Sequence, residues 1–190
     1  MQIAISKTRE QFPLSKRKIW KKTVATTIGW AVALLAIYGF LLLYGFLPSA
    51  NLVYPSDSDY QLVQSVKLYF DTLAILILGL ICIIFILAYF YQSWYFAVYF
   101  YDLTDDLVII RKGPISPLEI TIPYERIQDV YVSQDILDRI FGIYDVHLAS
   151  ASLGSGVEAH IHGVEKVATD GLRAMLLKKV QERISKKQDS

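Results

Sequence analysis

Two stretches of this chain carry no charge over the length of a membrane span, and nothing else in the sequence constrains the fold as strongly. From Val24 to Leu47 no residue is charged, and at 1.5 Å of rise per residue that run makes a helix about 36 Å long. Thr72 to Tyr91 is also uncharged and gives about 30 Å by the same rise. Both are long enough to cross a hydrocarbon core, so two transmembrane helices are expected at 24–47 and 72–91. Hydrophobic residues make up 54% of the chain, and the excess lies almost wholly before residue 100. A cleaved signal peptide fits the first run poorly, because its apolar stretch and basic leader are both too long.

Neither run contains Asp, Glu, Lys, Arg or His. Transporters, channels and membrane-embedded enzymes place such groups inside their helix bundles, so the pair reads as an anchor. The single cysteine, Cys82, lies in the second run. It excludes an internal disulfide or a cysteine metal site and is expected to pack as a small buried apolar residue.

A net charge of +1 hides an uneven distribution. Residues 1–22 hold Lys7, Arg9, Lys16, Arg17, Lys18, Lys21 and Lys22 against Glu10 alone. Residues 92–190 hold eleven Lys and Arg against fourteen Asp and Glu, which argues against a nucleic-acid surface. The expected layout is a basic cytoplasmic leader (1–23), span one (24–47), an extracytoplasmic connector (48–71) and span two (72–91). A β domain with a C-terminal helix (92–185) and a polar tail (186–190) follow. The positive-inside rule then sets the chain in the plasma (inner) membrane as a multi-pass protein with both termini cytoplasmic. Trp20, Tyr60, Tyr69, Trp94, Tyr95 and Tyr99 suit interfacial anchoring.

Past Tyr91 the pattern changes to short runs rich in Val, Ile, Tyr and Thr, the mark of an antiparallel sheet or barrel. Strands are expected near 95–103, 107–112, 118–123, 127–134, 143–149 and 157–163. A short helix should interrupt them at 135–141, with Asp135 as N-cap, Gly142 as its stop and Arg139 within reach of Asp135. If Gly154-Ser155 is a two-residue turn, Ala149 faces His160 and His147 faces His162. All three histidines then share one face, with Val146, Leu148 and Ile161 on the other. His147, His160, His162 and Glu158 are candidate zinc ligands, and a metal sensor or hydrolase is one alternative function. Simple alternation produces the same polar face, and no known ligand spacing is present, so no metal and no cofactor is the primary expectation. From Val164 a stripe of Val164, Val167, Ala168, Leu172, Met175, Leu176, Val180 and Ile184 predicts an amphipathic helix covering the sheet. With the leader residues Lys16, Arg17, Lys18, Lys21 and Lys22, that helix offers another alternative, a surface that senses anionic lipid.

Several segments together resemble the YdbS-like family of bacterial pleckstrin-homology (PH) membrane proteins. They are Trp94-Tyr95, the hairpin from Tyr101 to Gly113, Ile122-Pro123-Tyr124-Glu125-Arg126-Ile127-Gln128-Asp129-Val130, Gln134, Arg139-Ile140-Phe141-Gly142, and Ala149-Ser150-Ala151 to Gly156. The resemblance implies a PH-like, partly open antiparallel β-barrel capped by a C-terminal helix and preceded by a two-helix transmembrane hairpin. It implies no enzymatic activity and no catalytic residues, but a membrane-bound interaction or scaffold module of the kind linked to envelope stress or membrane-protein assembly. Its partners would be the lipid bilayer and another membrane or PH-like protein, or a second copy of the chain. Arg126, Gln128, Arg139 and Gly142 are expected to hold the fold. A phosphoinositide pocket is not expected, because Asp102, Asp105 and Asp106 offset Arg111 and Lys112.

Overall fold

The computed structural model describes residues 6–46, 57–150 and 159–188. Helix α1 covers Lys7–Gln11 and α2 covers Arg17–Leu41, which runs on into a π-helical turn, Leu42–Phe46. Helix α3 is Asp57–Val98, strand β1 Phe100–Leu103, β2 Leu107–Lys112 and β3 Leu118–Pro123. After a 3-10 turn come β4 (Ile127–Ser133), α4 (Ile136–Phe141), β5 (Ile143–Ser150), β6 (Ala159–Glu165) and α5 (Lys166–Gln188). Two compact units result, one of residues 22–90 and one that joins residues 1–21 to 91–190.

The first unit is the apolar helix pair. Two helices, within Arg17–Gly45 and Tyr60–Val98, are long and apolar enough to cross a membrane. Tyr38 meets Phe70 edge-on at 6.4 Å, and Gly45 leaves room for the same ring. Most outward side chains, Ile75, Leu78 and Leu87 among them, are exposed. So is Cys82, contrary to the expectation of a buried thiol, because it lies on an outward face of α3. The connector expected at 48–71 is helical from Asp57 onward, and α3 continues seven residues beyond Tyr91, so β1 begins at Phe100 rather than near Tyr95.

The second unit holds two three-stranded antiparallel meanders, β1-β2-β3 and β4-β5-β6. The sheets share no strand ladder among the described residues, so the barrel is not closed. Alternation sends Val108, Ile110, Ile120, Ile122, Val130, Val146, Leu148 and Ile161 inward, where they meet Tyr99, Tyr101 and Tyr124. Leu172 and Leu176 of α5 complete this core. Val167 belonged to the expected apolar stripe but is exposed, while Ala168 and Thr169, next to it in the same turn, face the domain. Lys179 donates to the Thr104 carbonyl at 2.7 Å, and Arg183 pairs with Asp106, which ties α5 to the β1–β2 turn.

The leader is part of this unit, although the sequence suggested a topology signal or a lipid-facing basic surface. Ser6 Oγ donates to the Tyr101 carbonyl at 2.6 Å, and Thr8 Oγ1 accepts from the Leu103 amide at 3.1 Å, so α1 satisfies polar groups along β1. Leu14 forms a β-bridge with Val164, and the Ser15 amide donates to the Gly163 carbonyl at 2.8 Å. Residues 6–15 therefore meet both β1 of one sheet and β6 of the other. Their edges are covered by chain that precedes the whole helix pair.

Lys18 and Lys21 are also not the lipid-facing cations expected. They are 8% and 6% exposed, turned into the domain by the helix that carries them. Lys21 Nζ lies 2.5 Å from Asp138 and 2.7 Å from Asp135, so Asp135 pairs with Lys21 and not with Arg139. Lys16 and Arg17 remain exposed.

Candidate functional site

The outer face of β5 and β6 gathers the only histidines of the chain. The register differs from the expected one by two residues: His147 pairs with His160, and Leu148 with Ala159. The presumed turn at Gly154-Ser155 lies outside the described residues, as does Glu158. An even slip keeps every side chain on its face, so the grouping of the histidines survives while their partners change.

The rings form a row. Tyr131 stacks on His147 at 4.7 Å with the planes 3° apart, His147 lies 5.2 Å from His160, and His160 meets His162 edge-on at 3.8 Å. A bulge between Tyr144 and Val146 brings Asp145 to the far end, where its Oδ2 is 2.5 Å from His162 Nδ1 and its Oδ1 accepts from the Gly163 amide at 2.8 Å. At the other end Ser133 Oγ lies 2.7 Å from His147 Nε2. Behind the row, the Tyr99 hydroxyl donates to the His160 carbonyl at 2.9 Å, and the Lys18 ammonium sits 5.0 Å above the Tyr99 ring.

Electrostatics fix the protonation of the Asp145–His162 end. Burial would raise Asp145, but the hydrogen bond from His162, the Gly163 amide and the nearby Lys18 charge hold it well below the usual carboxylate range. Burial lowers His162 to about 4, with Lys18 and His160 adding to that effect and Asp145 opposing it. At neutral pH the pair is therefore a carboxylate and a neutral imidazole. An ionised carboxylate only accepts, so His162 Nδ1 carries the proton and Nε2 is left as an acceptor. Tyr99 is pushed far above its ordinary range by burial and stays a neutral donor.

This geometry limits the chemistry. A Ser-His-Asp relay needs one imidazole between hydroxyl and carboxylate, whereas here Ser133 touches His147 and Asp145 touches His162. The imidazoles stack and meet edge-on instead of converging, and among the described residues no group of three His, Cys, Asp or Glu is placed to hold a metal ion. His147 Nδ1 is buried without a hydrogen-bond partner among the described residues. The row is a half-buried polar face of the β5–β6 hairpin.

The other expected residues fall elsewhere. Asp135 and Asp138 form a capping box on α4, and Gly142 ends that helix in the left-handed region at φ 65°. Arg126, Gln128 and Arg139, expected to hold the fold, are exposed. The buried polar work is done instead by Lys21 with Asp138 and by the tyrosine hydroxyls, because long side chains on outward strand and helix positions point to solvent. At the β2–β3 hairpin Arg111 is held by Glu119, at 2.7 Å and 2.9 Å, while Asp102 accepts from Ser6 and Thr8. Near the first hairpin Arg111, Asp105 and Asp106 are thus paired with Glu119, Lys179 and Arg183, different partners than proximity in sequence suggested, while Asp102 is held by neutral hydroxyls. A shallow cleft of about 290 Å³ lies between the leader, Gln11 to Ser15, and Glu165, Val167 and Ala168. It is at the lower limit for a small-molecule site.

The order of elements, two long apolar helices, two antiparallel meanders and a covering helix, can be compared with known families. Residues 23–188 match the family model described as bacterial PH domain. The chain belongs to that family. No curated protein and no solved structure gave a match. The match to the bacterial PH domain begins at Thr23, so the leader that lies against β1 and β6 falls outside it.

Proposed function

We propose that this bacterial PH domain protein is a non-catalytic, membrane-anchored interaction module. Its domain sits at the cytoplasmic face and binds another membrane or PH-like protein, or a second copy of the chain. The observation that carries this reading is the composition of the domain: residues 1–21 and 91–190 form one compact unit. Any membrane crossed by the intervening helices must therefore have both flanks on one side. The exposed apolar surface of the helix pair supports insertion, since monomeric soluble proteins rarely leave large contiguous apolar patches open to water. The basic leader supports a cytoplasmic side. No observation favours the metal-sensor or hydrolase alternative.

The test uses tags at both termini of the full chain in native membranes, together with crosslinking. Both tags should be shielded in intact cells and exposed together when the cytoplasmic face is opened, and crosslinking should recover a defined partner or a dimer. Release of the chain by alkaline carbonate, or tags on opposite sides, would overturn the anchoring. Recovery of monomer alone would overturn the interaction role.

A further inference from the structure

Helix α5 turns one face to the core, and its opposite face carries an apolar row of its own. Val167, Ala174 and Gln181 stand seven residues apart, as do Asp170, Leu177 and Ile184. All six are exposed, Val167, Leu177 and Ile184 by 87%, 45% and 48%. Alternating steps of three and four residues are the spacing of a helix-pairing seam, positions a and d of a heptad. The seam runs about 26 Å from Val167 to Ile184 at 1.5 Å per residue. A helix that only covers a sheet needs one apolar face, so the second face asks for its own occupant. On α4, by contrast, Ile136 and Ile140 are exposed as a pair alone.

The shallow cleft lies at the start of this seam. Val167 and Ala168 form one wall and Phe12, Pro13 and Leu14 of the leader another, around a volume of about 290 Å³. That is small for a cofactor but suits one bulky side chain from a partner, the buried kind of anchor that carries binding energy. Its walls are held in place. Ser15 Oγ donates to Glu165 at 3.1 Å, and the Phe12 ring lies so close to Gly171 that a Cβ there would come within 2.5 Å of it.

Charge selects the occupant. Helix α5 carries seven Lys and Arg against two Asp and Glu. Lys179 and Arg183 are taken by Asp105 and Asp106, and Lys178 reaches Glu182 at 3.9 Å. Lys166 and Arg173 are left beside the seam with no carboxylate partner among the described residues. A second copy would bring the same cations against them, and like charges across an interface repel. A bilayer would have to take in Asp170, and the seam is narrow and free of aromatic side chains, unlike the face of an interfacial helix. A helix with acidic flanks meets both the seam and the charge.

We propose that the outer face of α5 docks an acidic amphipathic helix of a partner protein. Apolar residues of that helix pack on Val167, Ala174, Leu177 and Ile184, its carboxylates face Lys166 and Arg173, and a side chain near its end fills the cleft. The two helices cross at about 20°, the angle that goes with this repeat. Gln181, polar within the seam, fixes the register. The inference names the partner's chemistry for the interaction role proposed above and rests on that role.

The experiment uses the full chain in phosphatidylcholine nanodiscs and a fluorescent helical peptide with Leu and Ala along one seam and Glu on both flanks. A twin with Lys in place of Glu is the control. The acidic peptide should bind at least tenfold more tightly than its twin, and the double variant Lys166→Glu, Arg173→Glu should reverse that order. Leu177→Asp should abolish binding of the acidic peptide. Both charge changes lie on exposed positions, and an unchanged thermal melt verifies the fold. Binding of neither peptide, equal binding of both, or an order that survives the charge reversal overturns the seam. In native membranes a photoreactive p-benzoylphenylalanine at Ala174 then separates the occupants. An adduct with another protein that disappears in the charge-reversed variant supports the proposal. A dimer adduct or a lipid adduct overturns it. If position 174 gives no adduct while general crosslinking of the same membranes recovers a partner, the seam is wrong and the interaction role stands. If both give monomer alone, the interaction role falls and the seam with it.

Discussion

The Asp138 carboxylate is 2% exposed on a surface helix, a placement that the Lys21 ammonium makes tenable. Burial alone would lower Lys21, but its bonds to Asp135 and Asp138 raise it, so it stays charged. Lys21→Met should cost about 3 kcal/mol or more, because it strands a buried carboxylate. Asp138→Leu should cost less, since Lys21 keeps Asp135. The double variant should recover part of the loss, which thermal melts of the detergent-solubilised chain would measure. At the histidine row the unfolded chain takes up a proton near pH 6.5, while folded His162 does so only near about 4. Its depressed value means the contribution is complete above pH 6.5 and is lost as pH falls toward 4. Asp145 adds a further loss only below its ordinary value of 3.8. Melting temperature should therefore drop between pH 6.5 and 4, and His162→Gln should flatten that part of the profile; an unchanged slope would contradict the assignment.

At the scale of elements, local chemistry was readable and distant contacts were not. Asp135 and Gly142 marked both ends of α4 because capping depends on a few neighbouring residues. The bounds of β2 and β3 followed from alternation, as did the shared face of His147, His160 and His162. The pairing of Asp145 with His162 needed a bulge that nothing local announces, and the Ser6–Tyr101 contact joins residues 95 apart. Two glycines allow a graded test of the turns. Gly142 at φ 65° has only Arg17 Nη1 near the position a Cβ would take, at 3.4 Å, whereas at Gly163, φ 72°, Lys18 Cδ would be 2.6 Å away. Gly142→Ala should cost about 1–2 kcal/mol from its left-handed backbone alone. Gly163→Ala should cost more, since Lys18 is packed against it. Adding Lys18→Ala should return the second cost toward the first, as read by denaturant unfolding.

For the whole molecule, the helix pair is an insertion within a domain whose pieces lie on either side of it. The family match starts after the leader, yet residues 6–15 meet β1 of one sheet and β6 of the other. Such contacts satisfy edge amides that would otherwise recruit other strands. A chain of residues 91–190 alone should therefore fold poorly and aggregate. Lys18, Ile19, Gln92 and Tyr95 line one small cavity, so the two flanks of the insertion lie close together. Replacing residues 22–90 by a flexible Gly/Ser linker of about ten residues, with a mean span of roughly 16–19 Å, should leave that geometry undisturbed. The joined chain should be soluble without detergent and melt cooperatively, while 91–190 should not. If 91–190 were equally stable, the leader would be dispensable. If the joined chain stayed insoluble, apolar surface beyond the helix pair would be responsible, and Ile136→Ser with Ile140→Ser would be expected to restore solubility.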